Sequence, residues 1–150
     1  MRDVVARQPG LSTLTPGLFG QPLLTGAAYQ EALEQAGIGL NISRRADDFL
    51  YSSDRLAHLT GNGMLAIIER TTGYSRFFGD DEMGFFSSLD ELAELIARYR
   101  ADPAARMRVA GAGRRRYADL FNERRVAAYI LDAAFNGTNE TTYPWPDHPA

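Results

Sequence analysis

The chain has no cysteine and no lysine among its 150 residues. Without thiols there can be no disulfide framework, no thiolate metal site and no cysteine nucleophile. Without lysine there is no lysine-based chemistry and no P-loop. Histidine is almost as scarce: His58 and His148 stand far apart and offer no zinc-binding set. Long apolar runs are missing too. Nothing approaches the roughly 20 apolar residues of a membrane span. The opening "MRDVVARQPG" has one apolar pair and no leader-like core, so no secretory signal is expected. Cytoplasmic residence is the resulting expectation. A net charge of −3 speaks against a general nucleic-acid binder, which would be basic. All 16 basic residues are Arg, as G+C-rich coding would produce.

What remains is an ordinary globular composition, 45% apolar and 23% charged. The length suits one domain with its own core, expected over residues 1–135, with an extended Pro-rich tail over 136–150. Residues 2–8 read as a short helix stopped by Pro9-Gly10. Residues 9–26 hold three prolines and four glycines and read as loop, with a short strand around Leu18-Phe19. "AAYQEALEQAG" places Tyr29, Leu33 and Ala36 on one helical face, with Gly37 as its stop. "IGLNIS" alternates Ile38, Leu40 and Ile42 against Gly39 and Asn41, which is strand periodicity. Residues 43–51 read as a charged loop with an apolar insertion, Phe49-Leu50-Tyr51.

Ser52 or Ser53 can cap a helix over 54–60, with Asp54 suited to its first turn. "MLAII" is a continuous apolar run, as in a strand buried on both faces. "GYSRFF" reads as one helical turn and "EMGFF" as a fourth strand. Helices follow to the end. Ser88 and Glu91 form a capping box before the stripe Leu89, Leu92, Ile96 and Tyr99. Asp102-Pro103 opens the next helix, with Met107, Ala110, Arg114 and Tyr117 at helical spacing. Gly111 and Gly113 weaken that helix by roughly 1 kcal/mol each, which predicts close packing there. Asn122 caps a last helix through Phe135, with Val126, Tyr129, Ile130 and Ala133 inward. Strands alternating with helices predict an α/β fold: a Rossmann-like parallel sheet flanked by helices, with a helical C-terminal segment.

In such sheets ligands lie beyond the carboxyl ends of the strands. Three segments converge there: "NISRR" after the first strand, the helix start at Ser52–Arg55, and "IERTTG" after the next strand. Arg55 could clamp a diphosphate through its planar fork or pair with Asp54 or Asp48 on the surface. Ser52 and Ser53 read first as caps, and Asp54 would repel a phosphate. Gly61 and Gly63 read as a helix stop and a tight turn, His58 as a packed side chain. Glu69 could meet a ligand hydroxyl or cap a loop. Arg44-Arg45 and Arg114-Arg115-Arg116 read as solvated charge. No nucleophile elbow and no dinucleotide-binding glycine fingerprint is present, so no catalytic residue can be named.

The runs "AYQEALEQAGIGLNISRR" and "SDRLAHLTGNGMLAIIERTTGYSRFF" resemble the C-terminal domain of CgeB-like glycosyltransferases, of the glycosyl transferases group 1 type with a GT-B fold. Asn41, Ser53, Arg55, Gly63, Gly73 and Phe77-Phe78 match the family pattern. "SSLDELAELIARYRADPAARMRVAGAGRRR" resembles its downstream region, and the likeness covers roughly residues 27–135. The resemblance implies that the chain is the C-terminal half of a GT-B fold, binding a nucleotide-sugar as substrate with no cofactor and no metal. It implies donor contacts at Asn41, Ser53, Asp54, Arg55, His58, Gly63, Glu69, Thr71, Thr72 and Gly73. Of these, Ser53, Asp54 and Arg55 would face phosphates, and Thr71, Thr72 and Gly73 the sugar. His58 stands where the family has a ribose-holding Glu, and carries no fixed negative charge.

A GT-B enzyme closes two lobes over its cleft, so an N-terminal acceptor-binding domain or a homo-oligomer is the expected partner. The alternative is a non-catalytic Rossmann-like module used for self-association or partner binding.

Overall fold

The computed structural model describes residues 2–42, 49–51, 53–136 and 143–145. Arg44-Arg45, Asp47-Asp48, Ser52 and His148 lie outside them, as do the readings made of those residues.

Among the described residues, nine helices and strands carry the fold. They are α1 (Arg2–Ala6), α2 (Gly26–Gln35), β1 (Ile38–Asn41), α3 (Arg55–Gly61), β2 (Leu65–Glu69), β3 (Gly84–Phe86), α4 (Leu89–Ala101), α5 (Pro103–Phe121) and α6 (Glu123–Leu131). Two 3₁₀ turns, Arg70–Thr72 and Tyr74–Arg76, bridge β2 to β3, and a π-helical turn, Asp132–Asn136, follows α6. The strands form one parallel sheet in the order β1-β2-β3. It is the expected α/β arrangement with three strands among the described residues, where three or four were expected. Leu18-Phe19 is no strand: it lies in turns, and Phe19 has a left-handed φ of 54°.

β2 shows why the sheet is covered on both faces. Ala66 and Ile68 point into one core with Leu33 of α2, Leu56 and Leu59 of α3, Phe85 of β3 and Leu120 of α5. Leu65 and Ile67 point into the other, with Val4 of α1, Phe86 of β3, Leu92, Ile96 and Tyr99 of α4 and Ala110 of α5. Each such Leu or Ile, fully buried, stabilises the fold by about 1.5–3 kcal/mol relative to exposure. β1 uses its alternation differently from the expectation. Ile38 and Leu40 pack against the second core, whereas the more buried positions are Gly39 and Asn41 on the α3 face. A Cβ at Gly39 would stand 2.3 Å from Leu59 Cδ2, so the glycine lets α3 lie directly on the strand.

The helix ends follow local chemistry. In α4 the Glu91 N–H donates to Ser88 Oγ at 3.2 Å, while the Glu91 carboxylate accepts from the Ser87 N–H at 2.6 Å. In α5 the Ala105 N–H donates to Asp102 Oδ1 at 2.8 Å beside Pro103. In α6 the Arg125 N–H donates to Asn122 Oδ1 at 3.0 Å. α2 stops because Ala36 turns extended (φ −95°, ψ 130°), and Gly37 does not adopt the left-handed stop expected of it.

Several facing assignments differ from the periodic reading. Leu89 and Met107 are exposed, because the stripe of α4 begins at Leu92 and that of α5 centres on Ala110, Gly113 and Leu120. Arg114 is likewise exposed, and Tyr117 is half-buried against the first core. α6 ends at Leu131 rather than running through Phe135, and it buries no residue: Ile130 and Ala133 face outward. Of the Pro-rich segment, Tyr143–Trp145 is described. Trp145 stacks on Phe121 at 5.7 Å, and the Tyr143 and Trp145 rings each meet Tyr129 edge-on.

Candidate functional site

A parallel sheet sends every strand out at the same edge. Here that edge gathers Asn41-Ile42 from β1, Glu69 from β2 and the start of α3, which must begin where β1 leaves off. Asn41 is a buried polar side chain at the last position of β1, and such a group needs a hydrogen-bond partner. Ser53 supplies one, its hydroxyl donating to Asn41 Oδ1 at 3.3 Å. Arg55 extends back over the same strand end and donates to the Ile42 carbonyl at 3.3 Å, with its side chain otherwise in solvent. These two bonds fix the α3 start to the end of β1.

No serine caps α3. Asp54 occupies the N-cap position with helical torsions (φ −50°, ψ −20°) and makes no side-chain cap bond. Ser53 is diverted to Asn41, and its carbonyl accepts from the Leu56 N–H instead. Asp54 is exposed.

After β2 the chain turns through Arg70–Thr72. Thr72 is fully buried, and its hydroxyl donates to the Glu69 carbonyl at 2.7 Å, while Thr71 beside it is exposed. Gly73 has φ +80° and closes the first 3₁₀ turn, its N–H donating to the Arg70 carbonyl. A Cβ there would stand 2.3 Å from the Phe49 ring. The Leu50 N–H donates to the Thr72 carbonyl at 2.7 Å. Residues 49–51 are thus clasped onto the exit of β2, and the Arg76 guanidinium lies 5.4 Å from the Phe49 ring centre. Arg70 turns the other way, bonded to Asp80 at 3.3 Å and over the Phe85 ring.

The structure therefore brings Asn41, Ser53, Asp54, Arg55, Glu69, Thr71, Thr72 and Gly73 to one edge of the sheet. It does not bring Gly63, which takes φ +74° just before β2, at the opposite edge. His58 is one turn into α3, exposed, with Nδ1 3.4 Å from the Tyr29 hydroxyl and the two rings 5.8 Å apart. Phe49 and Arg76 belong at this edge as well, and neither was singled out from the sequence. The signal for Phe49 was its apolar insertion within a charged loop. Arg76 gave none. Among the described residues no three His, Asp or Glu side chains converge to hold a metal ion, and no helix is long and apolar enough to cross a membrane.

Burial, and after it the neighbouring Tyr74, push the Tyr117 phenol above its ordinary value.

Against known proteins, a family profile described as glycosyl transferase-like matches residues 15–132. No curated protein and no solved structure matches the chain. The match takes in the whole sheet, the converging edge and α3 to α5. The chain belongs to the glycosyl transferase-like family.

Proposed function

We propose that this chain is the donor-binding domain of a metal-independent, two-lobed GT-B glycosyltransferase, close to the CgeB-like group, which takes a nucleotide-sugar at the carboxyl edge of its sheet. Family membership supports glycosyl transfer in general. The observation that supports the finer reading is the pinning of Ser53 and Arg55 to the end of β1, which holds a guanidinium at the carboxyl end of that strand.

In this reading Arg55 meets the diphosphate, and Ser53 and the backbone amides around it add donors. Positive groups fixed where the leaving diphosphate gathers charge lower the barrier without needing to reorganise. Thr71 and Glu69 offer a hydroxyl and a carboxylate to the sugar. Thr72 and Gly73 shape the loop, since the Thr72 hydroxyl is engaged by Glu69 and Gly73 admits Phe49. Asp54 faces solvent beside the phosphates and disfavours additional negative charge. His58 would contact the ribose by hydrogen bonding alone. Gly63 has no part in the site. The acceptor lobe would be supplied by another domain or another copy.

Isothermal titration of the chain with UDP and with GDP tests this reading. Heat of binding is expected for at least one of them, weakened about tenfold or more in Arg55→Ala. No heat with any nucleoside diphosphate would count decisively against it, as would an Arg55→Ala chain that binds as tightly as the parent.

A further inference from the structure

His58 meets a side chain from another helix. The Tyr29 hydroxyl of α2 lies 3.4 Å from His58 Nδ1, and the two rings are 5.8 Å apart at 52°. The fold sets this meeting. Tyr29 is half-buried against the first core, one turn before Leu33, which is buried there with Leu56 and Leu59 of α3. A second bridge stands one residue on. Gln30 Nε2 donates to Asn62 Oδ1 at 2.9 Å, and Asn62 Nδ2 donates to the His58 carbonyl at 2.8 Å. Helix α2 therefore holds His58 twice, by its ring and, through Asn62, by its backbone.

A neutral imidazole carries its proton on one nitrogen, and the hydrogen bond made at the other decides which. In a phenol–imidazole pair the phenol is the stronger donor and the ring nitrogen the stronger acceptor. The Tyr29 hydroxyl then donates to Nδ1, and the ring proton is left on Nε2. At 3.4 Å the contact is at the long end of the hydrogen-bond range, so its effect is on orientation more than on strength. Nε2 lies on the side of the ring away from Tyr29, with no partner among the described residues. Asp54 and Arg55, four and three residues earlier, are the neighbours of His58 on the α3 surface.

We propose that Tyr29 is a positioning residue of the donor site, holding His58 in the Nε2–H tautomer so that this N–H is offered to a ribose oxygen. The inference rests on the donor-site reading above and adds a polarity to it. At this position the protein donates and the ribose oxygen accepts, whereas a carboxylate in the same place could only accept.

The chain has two histidines, so side-chain ¹⁵N spectra read the tautomer directly, with His148→Gln to assign the signals. At about pH 8.5, where imidazoles are ordinarily neutral, His58 should show a protonated Nε2 and a bare Nδ1. Tyr29→Phe keeps the packed ring, removes only the hydroxyl, and should return His58 to a mixture of tautomers. UDP or GDP should then bind about threefold more weakly, as expected if the competent fraction falls to about a third. In a His58→Ala chain the same change should have no further effect. The corresponding 2′,3′-dideoxy diphosphate should bind the parent more weakly than the ribose form does. A His58 proton found on Nδ1 would overturn the proposal, as would a Tyr29→Phe chain with the parent's tautomer and affinity. An equal loss in the His58→Ala background, or a dideoxy form bound as tightly as the ribose form, would do the same. A parent that binds no nucleoside diphosphate would sink the donor-site reading and the ribose contact with it; binding that ignores Tyr29 sinks only the role given to Tyr29.

Discussion

Two glycines two residues apart in α5 should respond to the same substitution with opposite signs. At Gly111 an added Cβ meets only the far end of Arg115, at 3.6 Å, which is ordinary contact. Gly111→Ala should therefore stabilise the chain by the full helix propensity difference, about 1 kcal/mol. At Gly113 the same atom would sit 2.1 Å from the Glu82 carbonyl oxygen and 3.2 Å from its carbon. Since carbon–oxygen contacts settle near 3.3 Å, α5 and the turn before β3 would have to part by about 1 Å. Overpacking of this kind costs about 1–3 kcal/mol. That cancels or exceeds the propensity gain. The turn is not free to yield, because the Glu82 and Met83 N–H groups donate to the Gly79 carbonyl, and Arg116 of α5 donates to the Phe77 carbonyl at 2.9 Å. The two variants should differ by about 2 kcal/mol, or roughly 1 M in urea midpoint for a chain of this size. Two stabilised variants, or two equally destabilised ones, would refute the close seating of α5 on this turn.

Two further outcomes follow. Gly73→Ala should destabilise the chain by more than about 1 kcal/mol, from the left-handed torsion alone, and the displaced Phe49 ring adds to this; a urea midpoint equal to the parent's would refute the packing of Phe49 under Gly73. The Tyr117 phenol gives a pH signature, because its folded pKa is raised above that of the unfolded chain. The folded state then holds this proton more tightly, so the stabilisation is fully present below the ordinary tyrosine value, near pH 10, and is lost as pH rises through the folded value. Melting temperatures from pH 9 to 11.5 should fall more steeply for the parent than for Tyr117→Phe, and parallel curves would refute it.

What could be read in the sequence was local. Ser88 with Glu91, Asp102 with Pro103 and Asn122 all act within four residues of themselves, and each cap bond is present. "LAII" had to be a two-sided strand because no periodicity divides it, and β2 is buried on both faces. The misread positions depended on partners remote in sequence. Gly39 and Asn41 looked like the polar face of an alternating strand, but Leu59 and Ser53 cover them. Ser53 looked like a cap until Asn41, twelve residues earlier, took its hydroxyl. Val126, Tyr129, Ile130 and Ala133 formed a legible apolar set, yet only Val126 and Tyr129 are even half-buried, since periodicity says which residues share a face and not whether anything lies against it. Gly113 was legible as a close approach and Gly111 was not distinguishable from it, because the difference is the Glu82 carbonyl.

At the carboxyl edge, the fold's own needs decide what is left for a ligand. Three polar groups there are already engaged within the protein. The Thr72 hydroxyl serves Glu69, Ser53 serves Asn41, and Arg70 is held by Asp80. The groups that remain in solvent are the rest of the Arg55 fork, the Thr71 hydroxyl and Arg76 over Phe49. Among the described residues, this edge offers two guanidiniums and one hydroxyl, and the cationic forks are its most directional groups. Asp54 and Glu69 are the opposing carboxylates, and Asp54 makes no cap bond that would hold it in place. A ligand with concentrated negative charge is what such an edge discriminates best, because planar guanidiniums bind phosphate oxygens in a fixed geometry. The same edge has little with which to distinguish one sugar from another. If the proposed donor role is right, sugar selectivity has to come from whatever closes over this edge, and nucleoside diphosphates should bind this chain almost as tightly as their sugar conjugates.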